Sequence, residues 1–477
     1  MTSTKSAVPV AAPRTLRYEQ DAGLPVAIEA RSNRRTFYPN NGNVFNPAGT
    51  NVIRLNLNSQ SFVDFSHSYL QFKLTNIDAA RTLGVDSGVP FFSRLQIMSG
   101  GQELEDIQEY SRLYSILQAA QGSDLNTNEH SLTEHNGYNP GLTGLLQADL
   151  TDATVAANLA GTNAKVDQGN KHLHNEANQV AVGGSLVYNI PLISGIFNIE
   201  KYFPLLLTEQ GLDIYLYLNN AVDIGVWSGA PGLGYQIDDV KYIAHEVNLD
   251  DTFTQQMKAS MGATGGVLSM SSTTYRYYQH TKGAGGGTSH TANISCRVKS
   301  LKGLIVRPQV QAINNLSSSY CISTGQAMGI TELQFRVGSV LYPQSKIRFS
   351  NTNKGEMFQE IRKCFGTIGS YSHGTALNDL TFDQSASNAH DVAAGTAGST
   401  AAGQPQSSWM AAYDFETFAK SATESGINVA DRALPITMEL TLDNGANTAQ
   451  LATRFDIFAM CDCIVYIDMM GRITTRI

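Results

Sequence analysis

From Asn51 onward apolar and polar residues alternate. Val52, Ile53, Leu55 and Leu57 interleave with Arg54, Asn56 and Asn58, the mark of a half-buried strand. A turn and a second strand follow over Phe62 to Leu74. Apolar stretches of strand length recur around Phe92 to Met98, Leu186 to Leu192, Gly211 to Leu218 and Val240 to Val247, with Gly, Pro, Asn and Asp clustered between them. Strands this short and this closely spaced predict an antiparallel sandwich, not a parallel sheet wound with helices.

The same plan then runs a second time. Its first copy reads Phe92 to Met98, a Ser99-Gly100-Gly101 turn and a helix predicted over Asp106 to Ala120. Ile107, Tyr110, Leu113, Tyr114 and Leu117 form one stripe of that helix, and about sixty polar residues follow. The second copy reads Glu332 to Val337, Gly338, a strand through Leu341 and Tyr342, and an amphipathic stretch from Glu356 to Ile368. Its stripe is Met357, Phe358, Ile361, Cys364 and Phe365, and again about sixty polar residues follow. Each helix is expected to lie against the end of its own sandwich. Further strands are expected over Leu268 to Tyr278, Ala292 to Arg307, Ile436 to Leu442, Arg454 to Met460 and Cys463 to Met469. The chain therefore divides into an arm over 1–48, a first β-domain over 49–249 with an insert at 122–183, a linker over 250–267 that is helical at first, and a second β-domain over 268–477 with an insert at 366–432. Inserts of that length far exceed an ordinary connection of about four to six residues, and their matched placement predicts decorations on one common face.

Composition narrows the function. Charged residues make up 16% of the 477-residue chain, against about 25% for soluble proteins, a balance suited to a surface covered by copies of itself. A net charge of -8 argues against a protein that coats nucleic acid with its whole surface. The arm runs the other way: Lys5, Arg14, Arg17, Arg31, Arg34 and Arg35 stand against Glu19, Asp21 and Glu29, with no periodicity. It reads as an extended, basic assembly arm. No apolar run approaches the roughly 20 residues that span a bilayer, and residues 1–13 lack a secretory core, so synthesis without a signal peptide is expected. Of five cysteines, Cys461 and Cys463 share one strand face and cannot readily bridge, which predicts reduced, buried thiols.

Catalytic chemistry does not assemble along the chain, and neither catalytic residues nor a cofactor or metal is predicted. The histidines scatter through loops, among them His130, His135, His373 and His390. His172 and His174 could share a strand face but have no third ligand at strand spacing. Gly229 to Gly234 and Gly283 to Gly287 lack the lysine of a phosphate-binding loop and read as hairpin tips. Glu103, Glu105, Asp106 and Glu109 are expected at a helix start, where they would stabilise the positive end of the dipole. The rival reading is a carbohydrate-binding or glycoside-processing double β-sandwich, with Trp227 and Trp409 in loop-like sequence free to stack on sugars. A nucleic-acid-binding module would rest on the arm alone.

Three passages carry a family resemblance. They are Val52 to Leu57; Phe65 to Phe72; and Phe92 to Leu95 with Leu104 to Ile107 and Tyr110. Together they resemble the first jelly roll of double jelly-roll major capsid proteins of the adenovirus lineage, most of all those of polinton-like viruses and virophage-related small double-stranded DNA viruses. Ile190 to Gly195, Tyr202 to Leu205 and Gly211 to Leu216 are similar to that family's strand, short helix, strand passage. The resemblance implies an all-β chain of two tandem eight-stranded antiparallel jelly rolls, each with a short helix and a long insert. It implies a homotrimer of pseudo-hexagonal outline that tiles an icosahedral shell around a double-stranded DNA genome. The implied partners are neighbouring capsomers, penton and minor capsid proteins. The inserts would form outward towers, and the basic arm would face inward toward DNA or an internal membrane.

Overall fold

The computed structural model describes residues 30–86, 89–121, 133, 179–227, 230–249, 251–263, 266–285, 287–311, 321–350, 352–368, 375, 377, 382, 408–418, 425–430, 435–443 and 451–477. In the first roll, β1 (Ala30–Phe37), β13 (Tyr235–Leu249) and β4 (Phe62–Asn76) lie side by side. β9 (Ser185–Ile190) and β10 (Phe203–Pro204) pair with the far edge of β4, and β2 (Val44–Phe45) pairs with the start of β13. The opposing sheet runs β3 (Val52–Leu57), β11 (Leu212–Leu218), β6 (Phe92–Ser99), β7 (Gln102–Gln108). A small sheet of β5 (Leu83–Val85), β8 (Gln179–Val180) and β12 (Gly225–Trp227) sits beside them.

The second roll repeats this winding with eight main strands. One sheet is β14 (Val267–Lys282), β21 (Thr453–Asp468), β16 (Leu301–Val310), β19 (Ala411–Asp414); the other is β15 (Ser289–Ile294), β20 (Ile436–Leu442), β17 (Ile330–Val337), β18 (Val340–Arg348). A short β22 (Ile473–Arg476) pairs with β21. In chain order the first sheet holds strands one, eight, three and six of the roll, and the second holds two, seven, four and five, which is the jelly-roll winding. β1, β13, β4, β9 and β3, β11, β6, β7 take the same places in the first roll.

Alternation decides the faces. β11 buries every second residue of Leu212-Asp213-Ile214-Tyr215-Leu216-Tyr217-Leu218, and β3 and β20 do likewise. The β6–β7 hairpin closes at Gly100 and Gly101, both at positive φ (58° and 79°), the conformation that a two-residue turn matched to the strand twist demands. Between the sheets of the first roll, Phe72 stacks on Tyr188 (centroids 5.3 Å) and meets Phe91 and Phe92 edge-on at 5.5 Å. Phe335 meets Tyr413 and Phe415 similarly in the second.

The structure departs from the sequence reading in several places. The first strand begins at Ala30, inside the stretch read as an arm, and pairs with β13 from Ala30↔Leu249 to Phe37↔Tyr242. Its first six residues are exposed, so no hydrophobic period marks it. Phe45, also in that stretch, is fully buried. The first helix, α1 (Tyr110–Gln121), starts four residues later than predicted, because 102–108 belong to β7. The linker, in keeping with the sequence reading, starts as a helix, α2 (Asp251–Ala263). The second amphipathic stretch gives α3 (Gly355–Cys364), which buries Met357 and Ile361. The two glycine segments are not hairpin tips: each crosses from one sheet to the other, since β12 pairs with β5 while β13 pairs with β4, and β14 pairs with β21 while β15 pairs with β20. Within the second insert, β19 is a strand of the roll itself, pairing with β16 at the sheet edge, and Trp409 beside it is buried.

Phe72 is the centre of the first aromatic cluster. Phe72→Ala should cost about 3–5 kcal/mol and lower the urea midpoint of unfolding, while Phe72→Asp should abolish soluble expression because the site offers a carboxylate no water.

Candidate assembly framework: the seam between the rolls

The seam is built at α1. Glu109 ends β7 at φ 51°, a left-handed turn that costs a non-glycine residue strain, and starts α1. α1 is buried almost all round, Arg112 and Ser115 included, because it is wedged between the two rolls and does not simply cap its own. Arg112 Nη1 donates to Asp456 Oδ2 (3.0 Å) and Gln309 Oε1 (2.9 Å) of the second roll. Asp456 Oδ1 accepts from Tyr277 (2.6 Å) and from Arg454 Nε (2.8 Å). Glu109 closes the cluster, 3.2 Å from Arg112 and 3.0 Å from Arg454. Two guanidinium groups and two carboxylates thus balance in a buried site. Burial of Asp456 opposes its ionisation, yet Arg112 and Arg454 outweigh it and hold the carboxyl below the ordinary 3.8. One turn along, Arg307 Nη1 donates to Ser115 Oγ (3.3 Å) and to the Ile322 carbonyl (3.1 Å).

Other contacts fix the orientation. At one end Asp86 of the first roll accepts from the Ile322 and Ser323 amides (3.0 and 3.2 Å) and the Ser323 hydroxyl (2.5 Å). In the middle Glu105 on β7 accepts from the Gly195 amide (2.8 Å), the Ile196 amide (3.3 Å) and the Thr274 hydroxyl of β14. Burial raises the Glu105 pKa despite those donors. At the far end the Glu209 amide donates to the Gly471 carbonyl (3.1 Å). Gly471 has φ 75°, and a Cβ there would stand 2.6 Å from the Glu209 nitrogen, so the approach requires glycine.

These contacts place the rolls side by side and pointing the same way. Strand register puts the connections β14–β15, β16–β17, β18–β19 and β20–β21 at the Asp86 end of the second roll, and the corresponding connections of the first roll at that end too. Both long inserts follow the helix after the fifth main strand, so both are rooted at one end. The bodies of the inserts lie mostly outside the described residues.

The sequence-derived candidates fall as follows. Arg14 and Arg17 lie outside the described residues. Arg31, Arg34 and Arg35 sit on β1, where Arg34 Nη2 donates to the Tyr69 hydroxyl (2.9 Å) and Arg35 approaches Glu246 (3.5 Å) and Ser59 (3.2 Å). Glu103, Glu105 and Asp106 are on a strand, not at a helix start; Asp106 accepts from Arg94 Nε and Nη2 at 2.6 and 2.9 Å. Glu103, Glu105 and Asp106 line a cleft of about 430 Å³ on the seam, but Glu105 and Asp106 are already committed to their partners. Trp227 and Trp409 are core residues, 0% and 1% exposed, and are unavailable to stack on sugars. The five thiols are unpaired, with Cys461 and Cys463 buried on β21. His130, His135, His172, His174, His373 and His390 lie outside the described residues. Among the described residues no group of three or more His, Cys, Asp or Glu is placed to hold a metal. Sequence reading passed over Arg112, Asp456 and Asp86. A charge between buried apolar neighbours, as in Phe455-Asp456-Ile457-Phe458, is the signal that marks such a residue.

No protein-family model matches the chain, and no curated protein matches it in sequence. Solved structures do match. VP54 of the virus PBCV-1, a chain fitted into a reconstruction of the virophage Sputnik, is 11% identical, with 96% of this chain and 98% of that one covered and a TM-score of 0.56. A chain of the Sputnik virophage structure is 12% identical over 99% and 93%, at a TM-score of 0.54. The Faustovirus major capsid protein is 10% identical over 95% and 93%, at 0.52. The fold is therefore a double jelly roll, matched over nearly the full length of each.

Arg112→Ala leaves Asp456 buried with half its counter-charge. It should cost about 3–5 kcal/mol, whereas Arg112→Met with Asp456→Leu should recover much of that, as read from paired denaturation curves. The depressed Asp456 pKa makes its contribution complete above about 3.8 and progressively lost as pH falls through its lower folded value. The Asp456-dependent part of stability should therefore be constant from pH 7 to pH 5.

Proposed function

We propose that this chain is a major capsid protein, a structural subunit of a virion and not an enzyme. Three copies associate into a pseudo-hexagonal capsomer, and capsomers tile an icosahedral shell around a double-stranded DNA genome. The observation that carries the reading is the pair of similarly wound rolls, set side by side in one direction by a polar seam. Such a subunit presents two near-equivalent blocks, and three of them make six around one axis. The likeness to VP54 and to the Faustovirus capsid protein over more than nine-tenths of each chain supports it.

In this reading the shared end from which both inserts leave faces outward. The opposite end, where β1 begins at Ala30 and α2 joins the rolls, faces inward. Residues 1–29, with Arg14 and Arg17, precede β1 in the chain, and Arg31, Arg34 and Arg35 line the exposed edge strand that starts at the inner end. Neighbouring capsomers, penton and minor capsid proteins are the partners, with DNA or an internal membrane behind the arm.

Light scattering on the purified chain should give three times 51.6 kDa, with a roughly hexagonal outline in images of the same fraction. A monomer at every salt concentration would overturn the proposal. Removing residues 1–29 should preserve the trimer and impair shell assembly. Removing 1–40 also deletes β1, bares the edge of β13 and should yield insoluble protein.

A further inference from the structure

His280 on β14 and His290 on β15 belong to opposite sheets of the second roll, yet their Nε2 atoms lie 2.9 Å apart. The ring centroids are 5.1 Å apart, so the imidazoles point nitrogen to nitrogen, nearly head-on. Two rings sharing a metal ion would converge on it at an angle, and an ion on the line between them would need a spacing of about 4 Å. The contact is a hydrogen bond in which one neutral imidazole donates and the other accepts. Phe455 of β21 backs both rings, stacked on His290 at 11° and 6.0 Å, and tilted to His280 at 6.1 Å.

We infer that this pair is an acid-sensitive latch, pinning the two sheets of the second roll together at the end from which its insert leaves. The surrounding charges favour the neutral state. Lys282, two residues on, lies close by, its Nζ held by the carbonyls of Gly283, Gly285 and Leu451 at 3.3–3.4 Å. On β21, Arg454 and Asp456 flank Phe455 and are engaged in the seam cluster. On β20, Glu439 is taken by Arg336 at 2.7 Å. β15 contributes no other titratable group. Burial lowers the pKa of both imidazoles, and for His290 the neighbouring His280 and Lys282 lower it further.

The sign follows. A histidine held below its ordinary 6.5 in the fold stabilises fully above that value, and the contribution fades as pH falls through the lower folded values. The pair titrates as a unit. A first proton still leaves an imidazolium donating to an imidazole. A second leaves two donors face to face, and the contact opens. Asp456 stays ionised throughout that range, so the end of the second roll loosens while the seam holds.

Hydrogen exchange of the full chain at pH 7.5 and 5.0, corrected for intrinsic rates, tests this in peptides covering 278–294. Acid should reduce protection there at least tenfold in the parent protein and leave peptides covering 212–218, a central strand without histidine, unchanged. His280→Asn and His290→Phe, the latter keeping the stack on Phe455, should each remove the pH dependence; unchanged protection at 212–218 shows that each variant is folded. Parent protection that does not respond to acid, or variants that lose it as the parent does, would overturn the latch. So would strong protection by micromolar Zn²⁺ alone at pH 7.5 that His280→Asn abolishes, since that assigns a metal site.

Discussion

A carboxylate with no access to water, Asp456, held between the guanidinium groups of Arg112 and Arg454, is the contact on which the arrangement of the two rolls depends. Burying a lone carboxylate is costly, and this one is tolerated because charge and hydrogen bonds balance around it. An apolar seam can slide or rotate at small cost. A cluster satisfied in one geometry resists both, and in this reading its value lies in setting register more than in net stability. Asp86 at one end and Gly471 at the other then leave a single direction for the second roll relative to the first.

That seam explains why two copies of one winding are not alike in detail. α1 and α3 occupy the same place in the chain order of their rolls, after the fifth main strand. α3 buries one stripe, as a helix laid on a sheet edge should. α1 buries nearly its whole circumference, because one side packs on its own roll while Arg112 and Ser115 reach into the other. The positive φ at Glu109 turns β7 sharply into α1, and its carboxylate meets both arginines. Local strain and buried charge meet at the same place, where they decide how the two rolls are put together.

The alternation of Val52 to Leu57 and of Leu212 to Leu218 was legible because each strand has one wet and one dry face, and the period of two records it directly. β1 was not legible. Six of its eight residues are exposed, so it is a strand by virtue of pairing with β13 and not by any pattern of its own. Glu103, Glu105 and Asp106 looked like a helix start because acidic residues do gather there, but the hairpin at Gly100 and Gly101 claims them for β7. The glycine segments were read as hairpin tips because glycine marks a change of chain direction, but the strands on either side of each belong to different sheets.

Sequence alone determined the all-β class and the doubled plan. These are written in local periodicity and composition, which record burial residue by residue. Tertiary structure decided the parallel setting of the rolls, the edge strand at Ala30, and the partners of the buried charges. Arg112 and Asp456 are 344 positions apart, and His280 and His290, though near in sequence, meet only because their strands belong to facing sheets. No local pattern encodes such a pairing, since a charge or an imidazole looks the same in sequence whether water or a buried partner awaits it.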